Sequence, residues 1–181
     1  MGFSTTYLGR LDIHPLLNDF EVEWLRAFAA IDRRHYTEPY EVAMNPRALA
    51  IDDWQQHQAG SRPDGRDPFK SLSPDDGSPY PYLDWQPCTQ GCCLGWERRE
   101  KSRMAEEWLQ YLIDHFLRPG AHARLDGRPE FEPFTFDHVV NGIIAGERDD
   151  TGELFLIRCE DNVIRRETLV NPERDEWLMG W

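Results

Sequence analysis

From Phe134 to Ala145 the chain alternates or runs apolar, it breaks at Asp149-Asp150-Thr151-Gly152, and it alternates again from Glu153 to Cys159. Successive side chains of a strand point to opposite faces, so this spacing calls for a sheet with one face buried, and the polar break makes its two runs an antiparallel hairpin. Val163 to Val170 reads as a continuation of the second run past a kink at Asp161-Asn162. The same period opens the chain, with Phe3, Thr5, Tyr7, Leu11 and Ile13 on one side and Ser4, Thr6, Arg10 and Asp12 on the other. A further hairpin lies between: Leu83 and Trp85 alternate with Asp84 and Gln86, Thr89-Gln90-Gly91 turns, and Cys92, Leu94 and Trp96 alternate with Cys93 and Gly95.

Two helical patterns separate these strands. Asn18 followed by Glu21 has the spacing of a capping box. Phe20, Trp24, Ala27, Phe28 and Ile31 then recur at helical spacing while Glu21, Glu23, Arg26 and Arg33 face away, which predicts a helix over 19–34. Ser102 opens the second helix, whose Met104, Trp108, Leu109, Tyr111, Leu112, Ile113 and Phe116 make a broad apolar face ended by Arg118-Pro119-Gly120. The order β-α-β-β-α-β-β predicts an α+β fold, an antiparallel sheet with two helices on one face, related to the ferredoxin-like sandwich. With 181 residues, 40% of them hydrophobic, residues 1–170 suffice for one domain with its own core. An irregular insertion at 37–81 interrupts it. Within that insertion Asn45-Pro46 starts a short helix reaching about His57, and 59–81 is rich in Gly, Pro, Ser and Asp, as in a mobile insertion or a binding lid. Residues 171–181 form a tail carrying Trp177 and Trp181.

The strings WLQYLIDHFLRPG and FDHVVNGIIAGERDDTGELFLIRCEDNVI resemble uncharacterised proteins of actinobacteria and their phages. In that group a Trp-rich hairpin precedes an EWLxYLIDHFL helix, and a second hairpin ends the domain. The resemblance implies a cytoplasmic bacterial or phage setting and brings no activity with it.

Charge narrows the function classes. The 33 acidic against 20 basic side chains give a formal −13, which repels phosphate backbones and anionic lipid head groups. Direct contact with nucleic acid is not expected. The longest apolar run, Ala27 to Ile31, is far short of the ~20 residues that span a bilayer, and the N-terminus alternates where a signal peptide would not, so a cytoplasmic chain with reduced thiols is expected. G-x-S-x-G, H-E-x-x-H, P-loop and G-x-G-x-x-G patterns are absent, and no cofactor is expected. Asp114-His115 and Asp137-His138 are sequence neighbours whose side chains diverge, so neither is a dyad by adjacency; Asp114 and Arg118 suit a surface ion pair.

Cys88, Cys92 and Cys93 remain. Their C-x3-C-C spacing could serve a zinc ion, which wants soft ligands in tetrahedral reach, with a further ligand from His57, His115 or His138. Adjacent Cys92 and Cys93 should point to opposite faces of a strand, which prevents them from sharing an ion unless they sit in the turn itself. Packing of small apolar thiols beside Trp85 and Trp96 is the expected role, with no metal bound, and a nucleophilic thiol would need a base and a positive pocket. Gly142 and Gly146 mark either a bulged strand or room for a ligand. The expectation for function is an acidic, non-catalytic protein-interaction or regulatory module that binds a protein partner or itself through Trp177 and Trp181. The alternative is a small enzyme or metal-binding protein centred on Cys88, Cys92 and Cys93.

Overall fold

A computed structural model describes residues 5–36, 38–42, 74, 76–97 and 104–172. The expected helix from Pro46 to His57, most of 59–81, Phe3, Ser102 and the tail with Trp177 and Trp181 lie outside the described residues. Strand β1 spans Thr5–His14, β2 Trp85–Pro87, β3 Cys93–Trp96, β4 Val139–Arg148, β5 Leu154–Glu160 and β6 Val163–Val170. They form one six-stranded sheet in the order β2-β3-β1-β4-β5-β6, every neighbouring pair antiparallel. Helix α1 is Asp19–Ala29, α2 is Ala105–Leu112 and runs on into a π-helical turn, Ile113–Leu117, and α3 is His122–Asp126. The fold is α+β, as the strand and helix periods require. It differs from the expected order in one added short helix and in a sixth strand of its own.

Period two is obeyed closely where the sheet is central. Leu11, Ile13, Val140, Ile144, Phe155, Ile157 and Cys159 are buried together with Trp24, Leu25 and Phe28 of α1 and Trp108, Leu109 and Leu112 of α2. Their outward neighbours Leu8, Ile143 and Leu154 are exposed, so the helices cover one face only. Gly142 and Gly146 make room for the chain's own atoms: a Cβ on Gly146 would lie 2.3 Å from the Phe155 ring, and one on Gly142 3.0 Å from the Arg10 carbonyl. Among the described residues no helix is long and apolar enough to cross a membrane.

Several boundaries move for physical reasons. The capping box forms, Asn18 Oδ1 accepting from the Glu21 amide at 2.9 Å and Glu21 Oε2 from the Asn18 amide at 2.8 Å. Helix α1 stops at Ala29 rather than 34, and a 3-10 turn, Arg33–His35, follows. Glu21 and Arg33, expected on the outward face, are both buried. Arg33 pairs with Asp76, donates from a guanidinium nitrogen to the Glu41 carbonyl at 2.6 Å, and lies between the rings of Phe28 and Tyr36. Asp76 in turn accepts from the Ser78 amide, and Pro81 accepts from the Arg33 amide, so the end of the polar insertion is packed into the body. Helix α2 begins at Ala105, with Met104 left-handed at its N-cap and exposed rather than on the apolar face. Residues 134–138 precede β4 instead of belonging to it. Asp161 and Asn162, at φ 48° and 67°, are a two-residue hairpin turn and not a kink, which is why β6 folds back along β5.

Candidate three-thiol site

The site is a product of the β2–β3 turn. Trp85 opposes Trp96 across the hairpin, their rings edge-to-face at 5.0 Å, and Pro87 opposes Leu94. The turn between them is closed by the Cys88 amide on the Cys93 carbonyl at 2.9 Å and the Gly91 amide on the Cys88 carbonyl at 3.1 Å. Gly91 has φ +69°, and a Cβ there would stand 2.4 Å from the Leu17 carbonyl oxygen, so no other residue fits without moving the turn. Two bonds hold the turn to the end of β1 and the segment after it: the Ile13 amide to the Cys92 carbonyl at 2.8 Å, and the Leu17 amide to the Gly91 carbonyl at 3.0 Å. Backbone position here is therefore tied to the end of β1 and the segment that follows it.

This geometry overturns the expected divergence of Cys92 and Cys93. Strand β3 begins at Cys93, Cys92 belongs to the turn, and the Sγ atoms of Cys88, Cys92 and Cys93 lie within 4.8 Å of one another. Cys88 Sγ and Cys92 Sγ are 3.4 Å apart. Thiolates sharing one ion at ~2.3 Å each would stand roughly 3.8 Å apart, so small side-chain rotations suffice. Cys88 and Cys92 are half-buried and Cys93 is buried, which leaves the cluster reachable from solvent on one side.

The three thiols are electrostatically unequal. Burial opposes charge on Cys88, but hydrogen bonds from the Cys93 and Cys92 thiols and from the Gln90 and Cys92 amides outweigh it and hold its pKa down to about 6. Cys93 is pushed up to about 12 by burial, by donating to its two neighbours, and by the repulsion of a thiolate beside it. The thiolate is thus favoured at Cys88 and disfavoured at Cys93. Cys159, the fourth cysteine, is separate: its thiol donates to the Val140 carbonyl at 3.3 Å, and burial raises it to about 11.

Neither described histidine expected as a further ligand reaches the thiols. His138 is buried with its Nδ1 on the Pro15 carbonyl at 2.8 Å and its Nε2 3.1 Å from Glu21 Oε1. Glu21 also accepts from the Thr135 amide at 2.7 Å, making an acid–histidine pair that fastens α1 to the entry of β4. Its only sequence signal was Glu21 in a capping box, which explains the carboxylate's first bond and not its second. His115 stacks on Tyr111 and meets the Tyr40 hydroxyl at 2.6 Å, and burial, with repulsion from His122, takes it down to about 4. His57, Trp177 and Trp181 lie outside the described residues. Among the described residues no histidine or carboxylate joins the three thiols.

The arrangement defines a class: a triad of cysteines, two half-buried and one buried, on a hairpin turn at one end of an α+β sheet. No protein-family model matches the chain, and neither the curated proteins nor the solved structures contain a match to it.

Proposed function

We propose that the protein binds a thiophilic metal ion of the zinc type through Cys88, Cys92 and Cys93, with a fourth coordination position left to an outside ligand. The observation that carries the reading is the convergence of three Sγ atoms within 4.8 Å on a turn hydrogen-bonded to Ile13 and Leu17. Soft thiolates suit zinc and copper(I), and three protein ligands with an open position are what an exchangeable or catalytic site uses, whereas closed structural sites use four. Cys88 offers its thiolate most readily, and the ion must displace the proton of Cys93; affinity therefore rises with pH. The preformed turn limits the ordering cost of assembling the ligands.

The test is titration of the reduced, full-length protein with zinc against a chromophoric chelator. One ion per chain is expected, and Cys92→Ser should weaken binding by at least tenfold. The absence of stoichiometric binding, or equal binding by Cys92→Ser, would return the thiols to the role of packing groups beside Trp85 and Trp96. Association with a protein partner or with a second copy through Trp177 and Trp181, expected from the charge and the tail, concerns residues outside those described.

A further inference from the structure

We propose that β6 is a self-pairing edge, through which two copies of this chain join their sheets antiparallel about a two-fold axis at Arg166. The proposal is independent of the thiol site, which lies at the other end of the sheet.

Among the described residues β6 is the last strand, and all of its residues except Ile164 are exposed. Its hairpin turn is the two-residue, positive-φ kind, for which the flanking residues Glu160 and Val163 form a hydrogen-bonded pair. Bonded pairs then recur at alternate residues, at Arg158–Arg165 and Leu156–Glu167. The backbone N–H and C=O groups of Ile164, Arg166 and Thr168 consequently point away from β5, in the row that a further strand would need. No proline or lysine lies between Val163 and Val170 to block that row.

The side chains select the occupant. On the outer face the strand presents Val163, 53% exposed, Arg165 and Glu167, the last 3.7 Å from Arg158 of β5; beyond Thr168 the register with β5 shifts, and Leu169, 55% exposed, has no partner on β5. Run antiparallel against itself about Arg166, this row sets Arg165 opposite Glu167 of the second copy, twice. Opposite charges directly across a ladder stabilise it and like charges do the reverse. A slip by two residues sets Arg165 against Arg165, or Glu167 against Glu167, so the charges that guard an ordinary edge here specify one register. On the inner face the two Arg166 side chains meet, but each is already held by Glu106 at 2.7 Å and Glu153 at 2.8 Å, with its guanidinium 3.7 Å over the Phe155 ring. The partner that satisfies both the backbone row and the side-chain row is another copy of this chain.

Sedimentation of the full-length protein over a concentration series tests this. The native chain should sediment as a dimer, Arg165→Glu and Glu167→Arg should each weaken dimerisation on the order of tenfold or more, and the double reversal should restore it. Thr168→Pro, which removes one outward N–H without changing charge, should give a folded monomer. A native monomer at every concentration, a dimer that both single reversals leave intact, a double reversal that fails to restore pairing, or a folded dimer of Thr168→Pro would each overturn the proposal.

Discussion

Cys88 is where a single residue's environment carries the most chemistry. Two neighbouring thiols and two amides point hydrogen at its sulphur and hold it at about 6, while Cys93, five residues on in a buried position, is pushed up to about 12. A thiolate is the reactive form, so alkylation by iodoacetamide should rise with pH through a midpoint near 6, well below the ~8.5 of a free cysteine. Peptide mapping should place the label on Cys88, and added zinc should slow it; a midpoint near 8.5, or labelling spread evenly over the three, would contradict the account. Spacing made the three cysteines legible as a group, and Trp85, Leu94 and Trp96 made their hairpin legible. Their convergence was hidden, because it depends on Gly91 turning left-handed against Leu17, which leaves Cys92 in the turn and out of the strand's alternation.

Elements are joined in this fold by buried charge as well as by apolar packing. Burial disfavours charge on Glu21, but its bonds to His138, Thr135 and Asn18 prevail and lower its pKa from the usual 4.5; burial likewise opposes charge on His138, and Glu21 with the Pro15 carbonyl raises it from 6.5. A lowered carboxylate stabilises above its unfolded pKa and loses that contribution as pH falls. A raised histidine stabilises below its unfolded pKa and loses its contribution as pH rises through the raised value. Both act together between about 4.5 and 6.5. His138→Gln should therefore cost more stability at pH 5.5 than at pH 8.5 in chemical denaturation, of order 3 kcal/mol at the lower pH for breaking a buried pair; an equal cost at both would contradict a charged pair. This tie was unreadable beforehand, since Glu21 and His138 are 117 residues apart. The alternation of β5 was readable because one face is buried throughout, and those of β1 and β4 because Leu11, Ile13, Val140 and Ile144 are buried beside exposed neighbours. Element ends were less so: Arg33 resembles an outward helical residue until Asp76 is seen beneath it.

At the scale of the whole molecule, the sheet separates two surfaces. Its order puts the thiol-bearing β2–β3 hairpin at one end and β6 at the other, with β1, β4 and β5 between them, so occupation of one need not disturb the other. Net acidity of −13 favours cations near the surface and disfavours polyanions, in keeping with the metal site proposed on the β2–β3 turn. The class of fold was legible from period and order alone; β6 as a separate edge was not, because two adjacent positive-φ residues turned an apparent kink into a hairpin. The central claim is that three sulphurs and no more from this chain hold the ion. X-ray absorption at the zinc edge of the zinc-loaded protein tests it most directly: the account predicts three sulphur neighbours at ~2.3 Å and one lighter atom near ~2.0 Å, whereas a shell of oxygen and nitrogen alone, or four sulphurs, would contradict it.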